Sequence, residues 1–412
     1  MSFRFGKFVK EEISHQSLQN FMKNYGKSYS HRKEDLFQKI EAELNSENPA
    51  FTETAINDLI KEEIKYGSRR SLFLAKFSFA DAKKINTVEK ATAFLFNITG
   101  KKSMNLNTLN SIESNNFKIS KDLNTEYISL ITNDKQVNVN SIDICFTYFS
   151  EITVKDKEKN QAINQVKEYI WVNIDIRHRN LIIRIHPPQN DIFGKNYSAI
   201  QLFNSIRDLL SETINFKEMI SYQEMLYDLF KNTTDVSEKP FRDRIKTHTH
   251  LIEPFIKNVS QEKLFSNEKY NSLLNERIVD LMERILIQDN FKEYIGYAEG
   301  KVAVLNKMHF KDGTGASVQA SSGSKNGDTL ELSDVFFDTR KSIEKEQKLK
   351  TLWIDWFKID DTNKENIAKI KTKFETANEY LLIHFLDTFL IKEDQEYVFS
   401  KLREYDTFNW DR

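Results

Sequence analysis

The densest run of metal-capable side chains is Lys246-Thr-His248-Thr-His250-Leu-Ile-Glu253. Histidines at i and i+2 project from one side of a strand, and neutral imidazole is a common metal ligand. His248, His250 and Glu253 are therefore a candidate divalent-metal site, and with it a hydrolase or nuclease. No H-E-x-x-H and no second histidine pair accompanies them, and on a helix the two rings point apart. Asp143 and the pair Glu151 and Lys155 do not show the spacing of a nuclease's convergent carboxylates, and Glu346-Gln-Lys348 falls on a charged helical stretch. The phosphate-cradling motifs are missing: there is no G-x-x-x-x-G-K-[ST], and no G-x-G-x-x-G opens a helix. Gly313-Thr314-Gly315 lacks a lysine and reads as a tight turn. No G-x-S-x-G elbow supports a hydrolase serine. Cys145 is the one cysteine, which excludes an intramolecular disulfide and a thiolate zinc site and fits a reducing compartment. No cofactor is expected.

Basic clusters are the more informative signal. Between Lys65 and Lys84 stand Lys65, Arg69, Arg70, Lys76, Lys83 and Lys84 against the single acid Asp81, interleaved with Phe73, Phe77 and Phe79. A hairpin tip adds Arg177, His178 and Arg179, with Arg184 and His186 nearby, and Arg242, Arg244 and Lys246 form a third group. The planar fork of arginine suits phosphate oxygens, so Arg69, Arg70, Lys76, Arg177, His178, Arg179 and Arg184 are the candidate nucleic-acid contacts. Over the whole chain 60 basic residues meet 61 acidic ones, so any such site must be a local patch.

The elements that would position these residues follow from hydrophobic period. Leu18, Phe21, Met22 and Tyr25, then Leu36, Phe37, Ile40 and Leu44, recur at helical spacing, and Thr52 caps a third helix through Ile64. Ser71 to Phe79 alternates as a strand, followed by a Ser- and Asn-rich stretch and strands at Glu126–Thr132 and Ser141–Val154. IWVNIDI-RHRN-LIIRIH, Ile170 to His186, predicts a hairpin in which Ile176 faces Leu181, Ile174 faces Ile183 and Val172 faces Ile185. Helical spacing returns from Ala199 to about Phe230, and Asn267 caps another helix. Six of the 11 glycines fall between Gly296 and Gly327, where the chain reads as a meander ending in the strand TLELSDVFF. A strand at Leu352–Ile359 precedes one or two helices. The apolar run Tyr380–Ile391 is about a dozen residues, short of the ~20 that a membrane span needs, and is expected as a buried helix. The N-terminal MSFRFGKFVKEEI carries charges where a signal peptide needs an apolar stretch. No internal repeat or heptad pattern stands out.

The expected fold class is α+β: a helical domain at 1–70, a central α+β domain at 71–235 with the basic-tipped hairpin, and a C-terminal α+β domain at 236–412. LQNFMKNYGKSYSHRKEDLFQKIEAEL, the IWVNIDI hairpin and the ERIVDLMERILIQDNFKEY helix fall in an order that resembles the centromere protein N family. That resemblance implies a non-enzymatic protein binding DNA-wrapped particles and partner subunits. Gly26-Lys27 and Arg32-Lys33 are similar to a DNA-binding helical hairpin. The functional expectation is a cytoplasmic, non-enzymatic nucleic-acid-associated protein or subunit of a DNA-linked complex, in genome defence or chromosome maintenance. The alternatives are the metal-dependent hydrolase and a scaffold subunit that meets a protein partner or its own copy through the Leu381, Leu382 and Phe385 helix. No membrane association is expected.

Overall fold

The computed structural model describes residues 2–67, 71–100, 109–110, 123–133, 135, 137–155, 161–186, 198–216, 221–262, 268–290, 301–311, 313, 315–322, 330–359, 367–387 and 391–405. It is an α+β protein, and most of its elements form where hydrophobic period and capping residues put them. α1 (Lys7–Glu12), α2 (His15–Asn24), α3 (Lys33–Leu44) and α4 (Glu53–Tyr66) open the chain. Ser14 and Thr52 cap α2 and α4, their hydroxyls accepting the N–H groups of Ser17 and Ala55. β1 (Ser71–Lys76) is shorter than expected, because Ser78 caps the four-residue α5 (Phe79–Ala82) instead of continuing the strand. α6 (Val88–Thr99) stops at Gly100, whose φ of 69° is left-handed. β2 (Asn124–Thr132), β3 (Val139–Lys155), β4 (Gln161–Asp175) and β5 (Asn180–Ile185) pair antiparallel in succession. A capping box of Ser198 and Gln201 starts α7 (Ala199–Leu210).

The remaining elements are α8 (Tyr222–Thr247), α9 (Thr249–Gln261), α10 (Glu268–Asp289), β6 (Ala303–Lys311), β7 (Ser317–Ser321), α11 (Asp334–Glu346), β8 (Thr351–Ile359), β9 (Ile367–Thr376), β10 (Leu381–Phe385) and α12 (Lys392–Tyr405). Two expectations are corrected here. TLELSDVFF is not a strand: Leu330–Leu332 makes a 3-10 turn, and Ser333 caps α11 by accepting the Phe336 N–H. Its alternation is real, but a serine ahead of Asp334 offers the backbone a helix start that period alone hides. The Tyr380–Ile391 run is not a helix either. Leu381, Ile383 and Phe385 are buried on β10, which pairs with β1 through Leu72↔Ile383 and Leu74↔Leu381. A short apolar run reads alike for strand and helix. With it goes the expected C-terminal interface helix.

The described residues cluster into two compact units. The first takes in the described part of Met1–Ile220 with Ala377–Glu396, and its strands lie in the order β2-β3-β4-β5-β1-β10. One sheet face (Ile142, Ile144, Val172, Ile174, Ile183, Phe73) is covered by α6 and by Leu202, Phe203 and Ile206 of α7. The other face presents Tyr127, Cys145, Tyr169 and Trp171 to the apolar stripes of α1–α4, so the N-terminal helices share their core with the sheet. Each such fully buried side chain contributes roughly 1.5–3 kcal/mol, which makes both layers strongly held.

The second unit takes in the described part of Ser221–Thr376 with the later residues of α12, and its strands follow β9-β8-β6-β7. α8 runs unbroken through position 235. Phe241 and Ile287 pack with Leu286, Leu332 and Phe337 where α8, α10 and α11 meet. No described helix is long and apolar enough to cross a membrane.

Candidate nucleic-acid interface

The β4–β5 turn decides where the predicted basic residues sit. The observed pairs are Asp175↔Asn180, Ile174↔Leu181, Val172↔Ile183 and Ile170↔Ile185, two residues away from the expected register. Strand side chains alternate, so a two-residue slip leaves every residue on its face. The isoleucine face is therefore as expected, and only the pairing is corrected. The turn supplies what alternation lacks. The Asp175 carboxylate accepts the His178 N–H at 3.0 Å and lies 2.7 Å from its Nδ1. Arg179 takes a left-handed φ of 55°, and the Asn140 carbonyl accepts the Ile176 N–H at 2.9 Å. Arg177, His178 and Arg179 thus form the tip, with Arg177 exposed and without a carboxylate partner among the described residues.

Other backbone segments converge on this end of the first sheet. The Phe77 N–H donates to the Arg179 carbonyl at 3.1 Å, fixing the start of α5 beside the tip. Phe79 is 60% exposed, with the Lys83 ammonium 4.5 Å from its ring centroid. The Lys90 ammonium donates to the Lys83 carbonyl at 2.9 Å. The β2–β3 turn, carrying exposed Lys135 and Val137, is tied in by Val88 N–H to Val137 carbonyl at 3.2 Å and Val139 N–H to Asn86 carbonyl at 2.9 Å. Two acids here are engaged: Asp81 by Lys84 at 2.6 Å, and Asp175 by His178. Glu89 and Glu212 are exposed. The result is a surface of cations and one exposed aromatic ring around a hydrogen-bonded turn, a combination that can meet phosphates and stack on a base.

The other described candidate residues are not part of this surface. Lys76 pairs with Asn180 beside the tip but is itself buried. Arg184 is buried, its Cζ 5.0 Å from the Tyr66 ring centroid and its Nε donating to Gln395 at 3.3 Å. α4 covers that face of the hairpin, so Arg184 cannot reach a phosphate. Arg69 and Arg70 lie outside the described residues, and Ser71, which follows them, is at the far end of β1 from Lys76. Arg242 belongs to the second unit and is taken up by Asp235 at 2.8 Å, Glu283 at 3.1 Å and Glu238. Lys246 pairs with Asp243, and Arg244 lies over Phe241.

The metal candidate falls on helix rather than strand, and the His248 and His250 ring centroids lie 6.2 Å apart in a stacked arrangement. His248 joins α8 to α9, with its Nδ1 2.8 Å from the Arg244 carbonyl, and His250 is helical. Among the described residues no group of three His, Cys, Asp or Glu could hold a metal ion. The T-H-T-H alternation suggested a strand, whereas the α8 pattern simply continues to its C-terminus.

Sequence reading missed the buried charges. Asp143, 1% exposed, accepts hydrogen bonds from Lys65 at 2.9 and 3.1 Å, Trp171 at 3.1 Å and Asn173 at 2.8 Å. Burial pushes the Lys65 ammonium down to about 8, with Asp143 opposing and Arg184 assisting. Burial also pushes Asp143 up, but Lys65 and the two neutral donors more than reverse it and hold the carboxyl below its ordinary value. Burial raises Tyr66 to about 12. In the second unit, Glu238 and Glu283 share Arg242 and Arg340. The i, i+4 pair Glu238 and Arg242 was the one visible trace of this network. A cleft of about 320 Å³ beside α2 and α4 is lined by Asp58, Glu62, Glu63 and Glu393, with Lys392 the cation among them. Its acidity disfavours a phosphate ligand. No family model, curated protein or solved structure matches the chain.

Proposed function

We propose that the chain is a cytoplasmic, non-enzymatic nucleic-acid-associated protein, a subunit of a DNA-linked complex, that meets the phosphate backbone with the basic end of its first sheet. The supporting observation is the convergence there of exposed Arg177, half-buried Arg179, exposed Lys83 and Lys135, and the exposed ring of Phe79. Phosphate contacts of this kind carry affinity without base readout, so the binding is expected to be largely sequence-independent. Each neutralised phosphate releases counterions, which makes affinity fall steeply with salt.

Fluorescence anisotropy with a labelled duplex and a labelled single strand tests this. Affinity is expected to drop steeply between roughly 50 and 200 mM salt. The Arg177→Ala, Arg179→Ala double variant should bind about tenfold or more weakly and show a salt slope shallower by about two. Circular dichroism should find its fold unchanged. Binding that ignores salt, binding that survives the double substitution, or no binding at low salt overturns the reading.

A further inference from the structure

β6, β8 and β9 turn one face of the second sheet toward α8 and bury Met308, Ile354, Trp356 and Phe374 there. Strand side chains alternate, so the residues between these share the opposite face. On β8 they are Trp353, Asp355 and Phe357, and β9 sets Lys373, Lys371 and Lys369 opposite them. On the other side of β8, Lys307 pairs with Trp353 and His309 with Thr351. Lys311 continues the β6 row, level with Ser317 on β7. Lys311, Lys369 and Lys371 are exposed, as is Lys350 just ahead of β8, while Trp353, Lys307, His309 and Lys373 are half-buried.

The charge on this face is lopsided. Against these lysines stand Asp355 and Glu375, and Glu375 is taken up by Lys373 at 2.6 Å. His309 feels the field: burial first, then Lys350, Lys311 and Lys307, hold its ring below the ordinary value. Trp353 sits inside the charge, with the Lys307 ammonium 4.7 Å and the Lys373 ammonium 5.2 Å from its ring centroid. The basic ground has margins. At the Phe357 end the later residues of α12 lie against the sheet, the Tyr397 hydroxyl donating to the Phe357 carbonyl, and Glu346 reaches the β6–β7 turn beside Gly313.

Lysines two apart on a strand repeat about every 7 Å, so β9 lays a row of cations beside the ring. Such a row around an aromatic side chain fits a polyanion that carries planar rings between its charges. An ammonium over an exposed ring contributes only ~0.5–1 kcal/mol, whereas a base stacked there contributes ~1–3 kcal/mol. A base therefore displaces a lysine from Trp353 and releases it to a phosphate. The bases of a duplex are already stacked on one another, which favours a single strand. A lipid surface needs apolar side chains standing proud, and Trp353 instead lies half-buried between lysines.

We propose that this face of the second sheet binds single-stranded nucleic acid, one base stacking on Trp353 and the neighbouring phosphates meeting the lysines of β6 and β9. The surface belongs to the second unit and stands whether or not the β4–β5 tip binds a duplex.

Titration of the full chain with a short oligothymidylate, read by tryptophan fluorescence and by anisotropy of the labelled strand, is the test. Trp171 and Trp356 are buried, so quenching is expected from Trp353. Trp353→Phe should remove most of the quenching but keep the affinity within about threefold, because a ring remains. Trp353→Ala should raise the Kd about tenfold for the single strand and leave duplex affinity within about threefold. The double reversal Lys311→Glu, Lys371→Glu, at two exposed positions, should weaken single-strand binding about tenfold or more and make the salt slope shallower by roughly one to two. Thermal melts by circular dichroism should find these variants folded. The Arg177→Ala, Arg179→Ala variant should keep full quenching at saturation, so failure of this surface and failure of the tip read differently. Absent quenching, quenching that survives Trp353→Phe, an equal loss of duplex affinity in Trp353→Ala, or indifference to the lysine reversals overturns the proposal. So does displacement of the strand by polyglutamate or phosphatidylserine vesicles more effectively than by unlabelled strand at matched charge.

Discussion

Asp143 in the first unit is surrounded by donors, two of them neutral, whereas Glu238 in the second unit is surrounded by other charges. Lys65, Trp171 and Asn173 all donate to Asp143, so the carboxylate is held ionised and its ammonium partner is the weak member. Lys65 has Arg184 as a repelling neighbour, and burial lowers it to about 8. Glu238 is fully buried, and burial raises it to about 8 against Arg340 and Arg242, with Glu283 and Glu331 adding repulsion. Arg340 is itself partly buried, yet Glu238 and Glu283 outweigh that cost and raise it. The difference teaches which group yields first. Desolvation falls on every buried charge, and the one with fewer compensating donors than repelling neighbours is the one that titrates.

The largest expected effect comes from breaking the charge-only network. Arg340 reaches Glu238 at 3.2 Å, Glu283 at 3.1 Å and Glu344 at 3.0 Å, so Arg340→Ala strands two buried carboxylates on one remaining guanidinium. A loss of about 3–5 kcal/mol is expected in the second unit, read as lost hydrogen-exchange protection in α8, α10 and α11. A loss under about 1 kcal/mol would show that water already reaches the network.

Proton linkage sharpens the contrast, because the two units should respond to pH in opposite senses. The folded pKa of Glu238 lies above its ordinary 4.5, so the native state binds the extra proton between 4.5 and about 8. Stability of the second unit therefore falls as pH rises through that window. The folded pKa of Lys65 lies below its ordinary 10.5, so the unfolded state binds more protons between about 8 and 10.5. Stability of the first unit therefore rises with pH there, by at most about 3 kcal/mol. Urea unfolding followed peptide by peptide with hydrogen-exchange mass spectrometry separates the units. Glu238→Gln should flatten the first slope and Lys65→Met the second; slopes of the same sign in both units would break the comparison.

Beyond the i, i+4 spacing of Glu238 and Arg242, these clusters were not legible in the sequence, and the reasons are physical. Asp143, Asn173 and Arg184 alternate with buried residues and read as a solvent face; only packing of α4 on the sheet encloses them. By contrast the Thr52 cap of α4 and the isoleucine face of β4 and β5 were legible, because each depends on neighbours within a few residues. β10 and α11 fell between these cases. Their apolar pattern was visible, but a partner strand more than 300 residues away and a single capping serine chose the state. The basic tip was found through residue type, while Lys83, Phe79 and Lys135 joined it only through tertiary hydrogen bonds.

The smallest expected effect concerns a third carboxylate, Asp175, which does at the surface what Asp143 does in the core. It accepts the His178 N–H and meets the His178 ring, with both side chains partly exposed at 20% and 32%. Water can replace these bonds, so Asp175→Ala should cost only about 0.5–1.5 kcal/mol, and Asp175→Asn less, since its side-chain carbonyl still accepts the His178 N–H. The strands themselves tolerate a two-residue slip without exposing an isoleucine, so the turn bonds and the Arg179 conformation hold the register. Asp175→Ala should therefore weaken nucleic-acid binding through Arg177 and Arg179 more than it weakens the fold. Paired anisotropy and urea titrations check this. A stability loss above about 3 kcal/mol would put Asp175 with the buried clusters, and unchanged affinity would separate the turn from the binding surface.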